Sequence, residues 1–288
     1  MEEQHQTKGL ISLSMLAYPF LVSDIDGTLL NNQKEIPPQI RHEVARFRQA
    51  GGLFTLATGR NFTETERFIR ELNVELPVIL CNGALIYNPA TRELMPLAHL
   101  SDDLVREIVR NMPHLSRRID FFVYTSHHIY TTHIGPLSSE GLQNEEPKLK
   151  VIPSFEVLLN QNWVKIAAVS DEEGIGELRR WLDETKIPFT FVQSSDHYYE
   201  ILPPGVSKGA ALQRVADQLN LSPKQAAAIG DHLNDLPMFQ TVGLSAAVSN
   251  AHPEVLHAAD VIVPSNEEFG LSHFIQNHLF RTPRQAAR

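Results

Sequence analysis

The chain has 288 residues, 42% of them hydrophobic and 20% charged, the profile of a folded globular protein long enough for about two ordinary domains. A formal net charge of −9 argues against a long nucleic-acid-tracking surface, which needs clustered Lys and Arg, and leaves room only for a local basic pocket. The single cysteine, Cys81, excludes an intrachain disulfide framework and a cysteine-rich metal site and fits a reducing compartment.

The N-terminus, Met1-Glu2-Glu3-Gln4, is acidic where a signal peptide would be basic, and the apolar patch Leu10 to Ala17 is broken by Ser12 and Ser14. No stretch approaches the roughly 20 apolar residues of a membrane span. A cytoplasmic protein is therefore expected, with a disordered or loosely attached leader over residues 1–17 and Met15 as an alternative start. Tyr18 to Val22 then reads as a strand buried on both faces, and it ends abruptly in Asp24-Ile25-Asp26-Gly27-Thr28. Open α/β sheets bind ligands at that edge. Two carboxylates held about 4 Å apart repel by roughly 4 kcal/mol at an effective dielectric of 20, so a polyvalent cation or a shared proton is expected beside Asp24 and Asp26.

Pro37-Pro38 opens a helix with Ile40, Val44 and Phe47 at helical spacing, and Gly51-Gly52 ends it. Leu53 to Ala57 is a second buried strand, closed by Thr58-Gly59-Arg60. A helix follows, announced by Thr63-x-x-Glu66 as a capping box and turning Phe68, Ile69 and Leu72 inward. Pro77 to Cys81 is a third strand. That rhythm implies right-handed βαβ units and a parallel sheet.

From about Tyr87 the rhythm changes. Residues 88–202 mix short strands (Phe121 to Tyr124, Val164 to Val169, Phe189 to Val192, Tyr198 to Leu202) with helices at Ser101 to Asn111 and Glu172 to Thr185, an α+β module with one open sheet. His127 to Lys150 has few periodic apolar residues and reads as hairpin and loop. Pro203-Pro204-Gly205 is a linker. Beyond it come a helix marked by Leu212, Val215, Ala216 and Leu219, a strand at Ala226 to Ile229, strands at Leu244 to Val248 and Val261 to Val263, and a last helix at Leu271 to Leu279. The parallel domain is thus interrupted by an insert, and two adjacent crossings predict a hinge.

Polar clusters sit at strand ends or a helix start of this one domain: Asp24/Asp26, Thr58, Lys208 and Asp231/Asn234/Asp235. Each alone has an ordinary reading as a turn, a solvated side chain or a helix cap. Together they share one rim of a parallel sheet. Asp24 and Asp26 with Asp231 and Asp235 form an all-oxygen set suited to Mg²⁺. Lys208 at a helix start, and Thr58 in the Ala57-Thr58-Gly59 turn, suit an anion.

In order along the chain, Asp24-Ile25-Asp26-Gly27-Thr28, Ala57-Thr58-Gly59-Arg60, Gly205-Val206-Ser207-Lys208-Gly209 and Gly230-Asp231-x-x-Asn234-Asp235 resemble the four motifs of a haloacid dehalogenase (HAD) superfamily phosphatase of the Cof type, subfamily IIB. Asn82-Gly83-Ala84 and Ser265-Asn266-Glu267-Glu268-x-Gly270 add to the resemblance, which runs from about residue 18 to 275. It implies a Rossmann-like parallel-sheet core over residues 18–87 and 203–288 with an inserted α+β cap over 88–202. It also implies that Asp24 attacks phosphorus to form an aspartyl-phosphate and that Asp26 is acid and base. Thr58, Gly59, Asn82, Gly83, Lys208 and Asn234 are implied for phosphate and substrate, and Asp24, Asp231, the Asp26 carbonyl and Asp235 through water for Mg²⁺.

The activity expected is Mg²⁺-dependent hydrolysis of small phosphorylated metabolites, sugar phosphates or phosphorylated vitamins and cofactors, with no nucleic-acid, membrane or obligate protein partner. A phosphomutase and a phospho-acceptor signalling protein are the alternatives. His127, His128, Tyr130 and Lys165 are candidates for facing a substrate from the insert, surface or core being the commoner fate of each. The basic tail Arg281 to Arg288 lies outside the family pattern.

Overall fold

The computed structural model describes residues 16–115, 118–142 and 149–281. β1 (Phe20–Ser23) is buried at every position. α1 (Pro38–Gln49) turns Ile40, Val44 and Phe47 into the core and leads to β2 (Leu53–Leu56), parallel to β1. α2 (Phe62–Glu71) follows with Phe68 and Ile69 inward. Its capping box is Asn61 with Glu64, two residues before the expected one: Asn61 Oδ1 accepts from Glu64 N at 3.0 Å and Glu64 Oε2 from Asn61 N at 2.8 Å. Both spacings are present in the chain, and Asn caps a helix at least as well as Thr, so the earlier start wins.

The third strand departs from a plain βαβ continuation. β3 (Val78–Leu80) meets the parallel sheet through the single bridge Ala57↔Ile79 and otherwise pairs antiparallel with β4 (Leu85–Asn88), which pairs with β5 (Glu93–Pro96). The chain reverses at Cys81, Asn82 and Gly83, three successive residues with φ of 50°, 54° and 96°. Leu85, Ile86, Leu94, Leu97 and Ala98 pack on the parallel domain, whereas Leu100 joins the core of the insert. In packing terms the first crossing therefore falls near residue 99 instead of 88.

The insert contains α3 (Asp102–Leu115), β6 (Asp120–Tyr124), β7 (Ile129–Thr131), α4 (Pro136–Leu142), β8 (Leu149–Val151), β9 (Lys165–Val169), α5 (Glu172–Thr185), β10 (Thr190–Ser195) and β11 (Tyr198–Leu202). Its sheet runs β10-β11-β9-β6-β7-β8, antiparallel except for the β7–β8 pair. The stretch expected as hairpin and loop thus holds two short strands and a helix, with residues 143–148 outside those described. Because a strand alternates its faces, Phe121, Val123, Ile166 and Ile201 pack with Leu104, Ile108, Leu178 and Leu182, while Phe122, Tyr124, Ala167 and Tyr198 look the other way. That second face turns towards the parallel domain.

The chain returns through α6 (Lys208–Gln218), β12 (Ala226–Gly230), α7 (Leu236–Thr241), β13 (Leu244–Val248), α8 (Pro253–Ala258), β14 (Val261–Val263) and α9 (Gly270–Phe274), which ends in a π turn over Ile275–Leu279. The main sheet is β14-β13-β12-β1-β2, all parallel, with β1 between β12 and β2. Of the expected leader, residues 1–15 lie outside those described. Leu16 and Ala17 are not loose, since Leu16 is buried and bridged to Phe280 and Ala17 N donates to Leu279 O at 2.8 Å. Of the expected basic tail, residues 282–288 also lie outside those described.

The segment before α9 braces the loop after β1 from behind. Asn266 Nδ2 donates to Leu30 O at 2.8 Å, Asn32 N to Glu267 Oε1 at 2.5 Å, and Asn250 Nδ2 to Gly27 O at 2.9 Å, while Asn250 Oδ1 accepts from Asn266 N at 3.0 Å. Asn266→Ala leaves the buried Leu30 carbonyl without its donor. A loss of about 1–3 kcal/mol is expected, seen as a lower denaturant midpoint at unchanged m-value; an unmoved midpoint would show that the brace carries no load.

Candidate active site

Adjacent parallel strands set the site. Asp24 leaves the end of β1 and Asp231 the end of β12, and Thr58 follows β2 on the other side of β1. Asp24, Asp231 and Asp235 each place a carboxylate oxygen within 4.8 Å of the others. The ammonium of Lys208, the first residue of α6 and fully buried, lies between two of them, 2.5 Å from Asp24 Oδ1 and 2.6 Å from Asp235 Oδ1. Asp235 Oδ2 accepts from the amides of Asp231 at 2.9 Å and His232 at 3.1 Å, so Asp235 ties its own loop together. Thr28 donates to Asp231 Oδ1 at 2.9 Å. Gly27, at φ +70°, leaves the space that Asp231's carboxylate fills.

Electrostatics follow from this crowding. Burial pushes the Asp24 carboxyl up to about 7; Lys208 opposes the shift, and the charges of Asp235 and Asp26 add to it. Burial together with Asp24 and Asp235 raises Asp231 well above the usual carboxylate range. Burial alone would lower Lys208, yet Asp235 and Asp24 hold its ammonium above its ordinary value. Asp26 goes the opposite way. Burial would raise it, but Arg60 clasps it through Nε at 2.6 Å and a second guanidinium nitrogen at 2.8 Å, and with Lys34 at 3.2 Å holds it well below the usual range. Its carboxylate lies outside the cluster of three.

Beside Asp24 the turn Thr58-Gly59-Arg60 is locked to the Asn82 turn: Asn82 N donates to Thr58 O and Cys81 N to Arg60 O, both at 2.9 Å. The Thr58 amide donates to Ile79 O, which leaves its hydroxyl as the group it can turn to an anion. Asn234 Nδ2 donates to Asn82 Oδ1 at 3.0 Å, whereas Asn82 Nδ2 and Asn234 Oδ1 are buried without a protein partner. Buried amide atoms left open in this way call for a ligand or an ordered water. Gly83, at φ +96°, lies against the Ser207 carbonyl, where a Cβ would collide, and so packs on the start of α6.

A cavity of about 250 Å³ opens above these groups. Its floor includes Asp24, Asp26, Thr58, Gly59, Asp231 and Asn234, and its roof is the second face of the insert's sheet, with Phe122, Tyr124, Lys165, Tyr198 and Glu200. Of the four insert residues singled out in the sequence, Lys165 lines it. Tyr130 is in the insert's own core, His128 packs on Tyr130 at 5.9 Å between ring centroids, and His127 is exposed. Arg60, Glu200, Tyr124 and His232 carried no sequence signal of a role, although Arg60 stands beside Thr58 in the quoted motif.

A family model for haloacid dehalogenase-like hydrolases matches residues 21–275. The chain belongs to that family, in its Cof-type branch. It is 30% identical over 275 residues to YxeH of Bacillus subtilis, named as a presumed phosphatase, covering 90% of this chain and 97% of that one. It is 29% identical over 282 residues to the 5-amino-6-(5-phospho-D-ribitylamino)uracil phosphatase YwtE of the same organism, covering 89% and 96%. A solved haloacid dehalogenase-like hydrolase from B. subtilis shares the fold at a TM-score of 0.80 and 24% identity, covering 91% of this chain and all of that one. No helix among the described residues is long and apolar enough to cross a membrane.

Because Asp24 binds its proton more tightly in the folded chain than in the unfolded one, the folded state loses stability as pH rises from the ordinary carboxylate value near 4 through about 7. In chelator, Asp24→Asn should therefore gain on the wild type as pH rises from about 5 to 8, by roughly 2–4 kcal/mol in relative stability. Denaturant titrations at several pH values check this, and a difference constant with pH would refute the shift.

Proposed function

We propose that the protein is a Mg²⁺-dependent phosphatase that hydrolyses small phosphorylated metabolites through an aspartyl-phosphate on Asp24. The observation that carries this reading is the arrangement of Asp24, Asp231 and Asn234 at the floor of one roofed cavity, with Lys208 bonded to Asp24 and Asn82 to Asn234 behind them. With Lys208 holding Oδ1, Oδ2 of Asp24 would be the oxygen that attacks phosphorus. The bond from phosphorus to the ester oxygen breaks, and the departing alkoxide takes a proton from Asp26. Water then attacks the aspartyl-phosphate, Asp26 accepts its proton, and Asp24 and inorganic phosphate are released.

Thr58, Lys208, Asn82 and Asn234 would hold the phosphoryl oxygens, and their fixed donors stabilise charge there without reorganising. The base half of the cycle suits the ionised Asp26 as it stands. The acid half needs Asp26 protonated, and an anionic substrate competing for Arg60 and Lys34 releases it to take up that proton. Asp24 and Asp231 fit Mg²⁺, since burial and then the neighbouring carboxylates disfavour their charged forms, a penalty a cation would offset, and the Asp26 carbonyl would add a third oxygen. Asp235 fits an outer position because both its oxygens are engaged. When bound, Mg²⁺ would supply charge neutralisation at the phosphoryl oxygens and between the two aspartates.

The roof favours hydrolysis of a separate substrate over a phospho-acceptor signalling role, because self-phosphorylation needs no walled space for a leaving group. For the leaving group, a cavity of about 250 Å³ with Phe122, Tyr124 and Tyr198 fits a small metabolite such as a sugar phosphate or a phosphorylated cofactor precursor. The relative named for a phosphorylated ribitylaminouracil acts on a compound of that second kind.

Hydrolysis of p-nitrophenyl phosphate and of a panel of phosphorylated metabolites is expected with Mg²⁺ and lost in EDTA. Asp24→Asn should lower kcat by roughly 10⁴-fold or more, and Asp26→Asn by about 10²–10⁴-fold, with folding retained. Turnover by folded Asp24→Asn near the wild-type rate would remove the nucleophile, and conversion of a sugar bisphosphate to its isomer would point to a mutase instead.

A further inference from the structure

One buried charge pair has no task in this mechanism although it lines the cavity. Lys165 on β9 and Glu200 on β11 lie on the roof face of the insert's sheet, their side chains 3% and 5% exposed and 2.9 Å apart. The register makes them neighbours: Lys165 is opposite Tyr124, and Glu200 is opposite Ala167, one diagonal step away. The Lys165 ammonium has three protons and meets three acceptors, Glu200 Oε2, the Gly59 carbonyl at 2.7 Å and the Tyr124 ring at 4.2 Å from its centroid. It is therefore fully engaged before any phosphate arrives. One of those acceptors belongs to the other domain.

Gly59 is the middle of the turn that presents Thr58 and carries Arg60 to Asp26. Cap and core approach closely here, since a Cβ on Gly59 would stand 3.1 Å from Glu200 Oε1 and 3.3 Å from Asn82 Nδ2. We propose that Lys165, held by Glu200, is a positioning residue that docks the insert on the Thr58-Gly59-Arg60 turn and so sets Thr58 and Arg60 at the phosphate. The proposal rests on the phosphatase reading of this site. A buried pair serving stability alone could be exchanged for neutral side chains without functional loss, whereas neutral side chains could not supply a charge-assisted bond to the Gly59 carbonyl.

Both members of the pair ride on the insert. When the roof lifts to admit substrate, one bond to Gly59 breaks and the ammonium keeps its counter-ion, so no charge is stranded. A second contact crosses the cavity, between His232 Nδ1 and the Gln193 carbonyl at 3.2 Å, and it involves no charged partner. Lys165 thus supplies a charged contact across the cavity.

The test uses the full chain and the double variant Lys165→Met/Glu200→Gln, which leaves no unpaired charge. Lys165→Gln/Glu200→Gln, which keeps a polar pair inside the insert, takes its place if the first fails to fold. Expected are a thermal midpoint close to wild type, faster amide exchange over residues 57–61 with β12 unchanged, and a kcat for p-nitrophenyl phosphate lower by roughly 10- to 100-fold with a smaller change in KM. A folded double variant with wild-type kcat and wild-type protection of the turn would overturn the proposal. If the wild type hydrolyses no phosphomonoester, the phosphatase reading fails by itself, and exchange over residues 57–61 still decides whether Lys165 docks the insert.

Discussion

The structure depends on one buried ammonium shared between carboxylates. Lys208 reaches Asp24 from a helix that follows the insert, and it reaches Asp235 in the loop after β12, so three segments far apart in sequence are fastened at one nitrogen. Three carboxylates against one ammonium leave two negative charges uncompensated when all are ionised. A buried excess of that kind is costly, and it is relieved either by a proton, as the upward shift of Asp24 records, or by a cation. The rim therefore holds an excess of negative charge that a proton or a cation would relieve.

Around that centre, other groups hold the acids in place without adding to the excess. Thr28 orients Asp231, the two loop amides fix Asp235, and Asn250, Asn266 and Glu267 anchor the loop after β1 from a segment more than 200 residues later. These are hydrogen bonds from neutral donors, or to an acid at the loop's far side. Asp26 stands apart because Arg60 and Lys34 neutralise it locally. The two aspartates of one five-residue motif thus sit in opposite electrostatic environments, which is how neighbouring carboxyls come to take different protonation states.

Much of this was legible in the chain because parallel strands are continuous apolar runs with abrupt polar ends. β13 and β14 span the residues read from the sequence, and Asp24, Thr58 and Asp231 fall at the predicted strand ends. What was hidden had no local signature. β7 and β8 are three residues each, too short to show a period of two, and the reversal at Cys81 to Gly83 depends on a positive φ at Cys81 that cysteine seldom adopts. The packing of Gly83 on the Ser207 carbonyl likewise had no local signature. The Arg60–Asp26 and Lys165–Glu200 pairs join residues 34 and 35 positions apart, a separation at which charge pattern carries no information about partners.

The two halves of the cavity divide the electrostatic work. On the core side, negative charge is uncompensated, which under the proposed function a cation would offset as phosphate binds; on the roof, the charges of Lys165 and Glu200 cancel, and Phe122, Tyr124 and Tyr198 offer surface instead of field. A roof carrying a free cation would compete with Lys208 for the phosphoryl group and hold the product after hydrolysis. A neutral roof avoids that trap and still touches the Gly59 carbonyl through a cation already satisfied within its own sheet. The Thr58-Gly59-Arg60 turn is gripped by Lys165 from above, by the Asn82 turn from beside and by Asp26 through Arg60, so the roof and the floor of the cavity meet in one hydrogen-bonded unit.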